Sequence, residues 1–151
     1  MYQKLRMMMA ALALVGFSAG QATANTVSLV QPNPIETGGA ASISLDLQGT
    51  DFTDPVDAGG FTFSWNPAVL QLQPVDPLGL TGGIVVADPP WDTFVVNDDN
   101  VATGTIDFVF LGQSVGFSSG VFDIATLSFD VIGVDGDFTD IAFADAFGGW
   151  A

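Results

Sequence analysis

The sequence predicts an all-β fold, an antiparallel sandwich of eight or nine short strands. Three observations carry that expectation. Polar and apolar residues alternate with period two in several separate windows. Gly, Pro, Asn and Asp punctuate those windows, and no window beyond the N-terminal segment supports a helix of three turns. Hydrophobic residues make up 48% of the chain, with 13 Phe among them, which is enough apolar surface for a core and excludes simple disorder.

Taken in order, residues 27–30 read as a short first strand, followed by a Pro-rich turn at 31–34. Residues 40–48 alternate, with Ile43, Leu45 and Leu47 on one face and Ser42, Ser44 and Asp46 on the other. In 59–65, Phe61, Phe63 and Trp65 share a face against Thr62 and Ser64. Asn66-Pro67 breaks that strand. Pro67 suits the start of a single helical turn before Leu70 and Leu72 resume an inward pattern. Short strands are expected at 84–87 and 93–97, around the loop Asp88-Pro89-Pro90-Trp91. Residues 104–111 are read with Ile106, Phe108 and Phe110 inside. Residues 121–132 are read with Leu127, Phe129 and Val131 inside, and a phase slip at Ile124 and Ala125 predicts a bulge. A last strand is expected over about 138–144. Asp51, Asp54 and Asp57 are assigned to turns.

The N-terminus reads as a secretory leader over residues 1–24. Lys4 and Arg6 form a positive start, Met7–Phe17 is an apolar run, and Ala22-Thr23-Ala24 is a small-residue cleavage signature. The run is too short to cross about 30 Å of hydrocarbon. The expected product is one domain, 25–151, exported and with no membrane insertion after cleavage.

Charge narrows the function. The chain carries 17 acidic residues and two basic ones, and both bases lie within the first six positions. A domain without cations cannot neutralise phosphates, so nucleic acid is excluded as a partner. With no His, no Cys and no Lys after position 4, the usual general bases and nucleophiles are missing. The expectation is that the protein is not an enzyme.

The acids offer two readings. Asp favours turns and solubility, and most of the 16 Asp lie in turn-like sequence. Carboxylates in loops also suit a hard cation, and Ca²⁺ is the candidate. Two clusters stand out as metal candidates: Asp98-Asp99-Asn100, and Asp135-Gly136-Asp137 with Asp140. Neither completes the twelve-residue calcium loop. Trp65 is in phase with Phe61 and Phe63 and belongs to the core. Trp91, in a Pro-Pro-Trp-Asp loop, is expected to be partly exposed. With Asp92 it is the candidate ligand-binding pair, the ring stacking on a sugar or anchoring a protein. The competing reading has Trp91 capping one end of the sandwich.

Three blocks resemble the cohesin domain. The first is Val27-Ser28-Leu29 followed by Thr37-Gly38-Gly39 and the strand at 41–47. The second and most specific is Gly60-Phe61-Thr62-Phe63-Ser64-Trp65-Asn66-Pro67-Ala68-Val69-Leu70-Gln71-Leu72. The third is Gly120-Val121-Phe122-Asp123-Ile124-Ala125-Thr126-Leu127-Ser128-Phe129-Asp130-Val131. The resemblance implies a jelly-roll β-sandwich of about nine strands, related to bacterial cellulose-binding modules. It also implies a secreted, non-catalytic module that binds a dockerin-like protein module in extracellular assemblies that degrade polysaccharide. Residues 73–103 depart from the pattern, so no dockerin-contact residue is carried over. The C-terminus, Gly148-Gly149-Trp150-Ala151, also departs from relatives that carry a sorting segment. The alternatives are direct binding of polysaccharide and a structural role in an extracellular matrix.

Overall fold

The computed structural model describes residues 26–31, 34–87, 91–114, 118–146 and 150. The leader read over 1–24 and the loop residues 88–90 lie outside the described residues. The described residues form eleven strands: β1 (Thr26–Leu29), β2 (Ile35–Glu36), β3 (Ser42–Val56), β4 (Ala58–Ser64), β5 (Leu70–Leu72), β6 (Ile84–Val86), β7 (Thr93–Asn97), β8 (Thr105–Gly112), β9 (Ser118–Val131), β10 (Phe138–Thr139) and β11 (Ala142–Asp145). The only helical element among the described residues is a single 3-10 turn, Val101–Thr103, closed by Gly104 at φ 79°.

Nine of these strands form the two large sheets. A five-stranded sheet runs β1-β3-β9-β5, with β6 pairing β9 further along the same edge, and a four-stranded sheet runs β11-β4-β8-β7. All pairings are antiparallel, and β2 and β10 form a small separate ribbon. The inner faces share one core. Trp65, just past β4, meets Phe129 of β9 edge-on at 5.3 Å between centroids, which ties one sheet to the other. Its indole N–H donates to the Leu70 carbonyl at 2.8 Å, so the buried ring leaves no unmet donor.

Most of the expected core is inside. Leu45, Leu47, Phe61, Phe63, Trp65, Leu70, Ile106, Leu127 and Phe129 are buried, and Ile43 is half-buried. The bulge expected near Ile124 is real. The register steps from Leu47↔Ala125 to Gln48↔Asp123, so β9 carries one extra residue, and Ile124 and Ala125 are both buried.

Phe108 and Phe110 correct the inward reading of β8. Between the pairs Phe61↔Val109 and Phe63↔Ile106, β8 advances three residues while β4 advances two. That bulge inverts the phase. Ile106, Val109 and Leu111 point inward and are fully buried, while Phe108 and Phe110 are half-buried on the other face. β3 also runs further than expected. Asp51 and Asp54 lie within it rather than in turns, because Phe52 and Val56 are buried and continue an irregular pairing with β9. Asp51 takes φ 62° where the register slips, a conformation that Asp tolerates better than most residues. The strand expected over 138–144 divides in two: Phe138–Thr139 joins β2, and Ala142–Asp145 joins β4. At Asn66-Pro67 the expected turn forms, with the Val69 and Leu70 amides donating to the Asn66 carbonyl at 3.0 and 3.1 Å.

Candidate partner-binding face

Trp91 is 2% exposed, which corrects its placement as a surface aromatic. Its ring packs 6.0 Å from Phe122 and 5.7 Å from Trp150, and its N–H donates to the Asp123 carbonyl at 3.2 Å. It closes one end of the sandwich. Trp150 completes the same closure, standing 6.3 Å from Phe52 and stacked at 6.5 Å on Phe61. Gly59 permits this: a Cβ there would lie 2.1 Å from the Trp150 ring. A buried ring cannot stack on a sugar, so of the candidate pair only Asp92 reaches the surface.

Asp92 is exposed and well held. Its Oδ2 accepts the Ser114 hydroxyl in a short bond and the Ser114 amide at 2.9 Å, and its Oδ1 accepts Thr93 Oγ1 at 3.1 Å. These bonds favour the carboxylate, the Ser114 hydroxyl most of all, and hold its pKa below the ordinary aspartate value.

Among the described residues no three His, Cys, Asp or Glu side chains form a group able to hold a metal ion. Asp137 serves its own turn. Asp137 Oδ2 accepts the Val134 amide at 2.8 Å. The Asp98 carbonyl receives the Val101 amide at 3.0 Å, and the Asp99 amide donates to Asn97 Oδ1 at 3.1 Å. Asp135 is exposed, its carboxyl next to Gly39. Asp76 is the fullest case, its carboxylate accepting the Leu78 and Leu80 amides at 3.1 and 3.2 Å. The Asp137 and Asp76 bonds are the local side-chain to backbone bonds that make Asp a turn residue.

What remains as a site is a surface rather than a pocket of chemistry, and the two outer faces of the sandwich differ. On the five-stranded sheet one stretch of outward pairs is polar: Ser42, Ser44 and Asp46 on β3 stand opposite Asp130, Ser128 and Thr126 on β9. On the four-stranded sheet the β8 bulge has placed aromatic residues outside. Val95 pairs with Phe110, which pairs with Gly60, and Asn97 pairs with Phe108. Val95 is 49% exposed. Thr62, Ser64, Thr93, Asn97 and Thr105 surround this apolar centre. An apolar centre within a polar rim is the anatomy of a protein-docking surface. The sequence signal for it was present but ambiguous, because both phases of Thr105–Leu111 carry large apolar residues.

The sandwich is cohesin-like, as solved structures show. No sequence-family model matches the chain, and no curated protein matches it by sequence. The fold matches a type III cohesin module from the cell-surface anchoring scaffoldin of Ruminococcus flavefaciens, at TM-score 0.58 and 16% identity, covering 80% of this chain and 65% of that one. It matches a cohesin module from a family 33 glycoside hydrolase of Clostridium perfringens, at TM-score 0.55 and 8% identity, covering 81% and 94%. It also matches a type II cohesin domain of Acetivibrio cellulolyticus, at TM-score 0.53 and 16% identity, covering 82% and 77%. The chain thus spans just under two thirds of the Ruminococcus module. At these identities the likeness defines the fold, an antiparallel jelly-roll β-sandwich of the cohesin type.

Proposed function

We propose that the protein is a secreted, non-catalytic binding module that recruits a dockerin-type protein module into an extracellular assembly acting on polysaccharide. The observation that carries this reading is the outer face of the four-stranded sheet, with Val95, Phe108 and Phe110 at its centre, on a cohesin-like sandwich. One structural neighbour is a Coh module in complex with a Doc module, at TM-score 0.50 and 18% identity. Others come from a scaffoldin and from a glycoside hydrolase, which is the setting proposed here. The composition agrees: past Arg6 there is no His, Lys, Arg or Cys to act as base or nucleophile. Direct glycan binding loses its stacking residue with the burial of Trp91.

Calorimetry against a panel of purified calcium-loaded dockerin modules, beside a pull-down on insoluble cellulose, tests the reading. The expected result is saturable binding to a dockerin and none to cellulose. Val95→Glu should abolish the binding without moving the melting temperature, because an exposed substitution changes stability by about 0.5 kcal/mol or less. Retention on cellulose with no dockerin bound would overturn the proposal.

A further inference from the structure

A bulge turns one carboxylate outward on the opposite side of the sandwich. Along β9, Phe129, Leu127 and Ala125 point into the core, and strict alternation would send Asp123 in after them. The extra residue at Ile124 reverses the phase, so Asp123 stands exposed on the outer face, opposite Gln48. Re-aiming a side chain is a recognised use of a β-bulge. Gln48 Nε2 donates to Asp123 Oδ1 at 2.7 Å. On the same face Asp46 accepts Thr126 Oγ1 at 2.9 Å on Oδ1 and Gln31 Nε2 at 3.0 Å on Oδ2.

These two acids, with Gln48 and Thr126, line a surface depression of about 370 Å³. Val30 contributes from the β1 side, and Val85, Val86 and Ala87 from the β6 side. Val30 is 55% exposed. Every hydrogen-bond donor given above for the two carboxylates is a neutral amide or hydroxyl. The sequence contains no Lys, Arg or His after Arg6 to neutralise them. The carboxylates are therefore held in place by neutral donors alone, and each oxygen has capacity for a further donor. Their natural complement is a cation on an aliphatic stem. The charged head makes charge-assisted hydrogen bonds to the acids, and the methylenes lie against the valines.

We infer that this depression is a docking point for a protein partner that inserts a lysine or arginine side chain between Asp46 and Asp123. It lies on the other side of the sandwich from the Val95–Phe110 face and does not rest on the dockerin reading.

The test is amide NMR of the ¹⁵N-labelled protein, titrated with the peptide acetyl-Gly-Gly-Arg-Gly-Gly-amide and with its glutamine counterpart. The arginine peptide should shift the amides of Asp46, Gln48, Asp123, Thr126 and Val86 at least threefold more than those of the exposed acids Asp51, Asp98, Asp99 and Asp135. The glutamine peptide should not. Asp123→Asn keeps the shape and the Gln48 bond, and should remove most of the selective shift; Asp46→Asn is the second variant and should do the same. Equal shifts at all exposed acids would mean general counter-ion attraction and overturn the proposal. So would the same shifts produced by CaCl₂ at equal charge concentration, or a selective shift that survives both variants.

Discussion

Trp91→Ala separates a capping residue from a ligand-binding one. The ring is 2% exposed and packs against Phe122 and Trp150 at 6.0 and 5.7 Å. Truncating a buried Trp or Phe to Ala costs about 3–5 kcal/mol through lost burial and the cavity left behind. Removing the indole N–H also strips the Asp123 carbonyl of a 3.2 Å donor, within the same total. For a domain of this length each kcal/mol lowers the melting temperature by about 2–4 °C, so the variant should melt about 6–20 °C lower. Trp91→Phe keeps a ring and loses the N–H, and should fall between the two. The assay is urea and thermal unfolding followed by far-ultraviolet circular dichroism, which does not depend on the deleted indole. A loss below about 1 kcal/mol with an unchanged urea m-value would refute the burial argument and return Trp91 to the surface.

Phe63→Ala, at a side chain 1% exposed between Trp65 and Phe143, should cost roughly 3–5 kcal/mol in the same unfolding assay. Asp92 has a pKa held low by Ser114. Its carboxylate therefore contributes stability above the ordinary aspartate pKa, and that contribution is lost as pH falls through its own lower value. Ser114→Ala should raise the Asp92 pKa towards the ordinary range in a ¹³C-carboxyl NMR titration; no movement would contradict the assignment. The acids outnumber the bases 17 to 2, so the melting temperature should rise as NaCl shortens the screening length to about 8 Å at 0.15 M. CaCl₂ and MgCl₂ at matched ionic strength should do no more than NaCl. A distinct Ca²⁺ excess would revive a specific site.

What was legible in the sequence follows from how strongly each face is specified. Ile43–Leu47 and Phe61–Trp65 alternate against Ser and Thr, so only one phase puts apolar groups inside, and the structure keeps it. The bulge at Ile124 could be read because two adjacent apolar residues interrupt a clean alternation. Thr105–Leu111 is different. Ile106, Phe108 and Phe110 form one apolar set, and Val109 with Leu111 forms another, so the sequence carries no preference that would mark the slip after Ile106. The β4 partner decides it through the pairs Phe61↔Val109 and Phe63↔Ile106. Phe52 and Val56 were hidden for another reason: Asp51, Asp54 and Pro55 read as turn chemistry, and tertiary burial outweighs that local preference. Trp91 misled because local sequence describes its loop, while the groups that bury it, Phe122 and Trp150, come from distant parts of the chain. The face centred on Val95, Phe108 and Phe110 was missed together with the β8 slip, since one irregularity created both.

On the proposed function, the four-stranded sheet presents the partner surface. Amide chemical-shift mapping of the ¹⁵N-labelled protein with a calcium-loaded dockerin module tests it most directly. Perturbations should centre on Val95, Asn97, Phe108, Phe110 and Thr62, with β3 and the Asp98–Asn100 loop unmoved. Perturbations centred on the Ser42–Asp46 face instead, or none at any dockerin concentration, would contradict it.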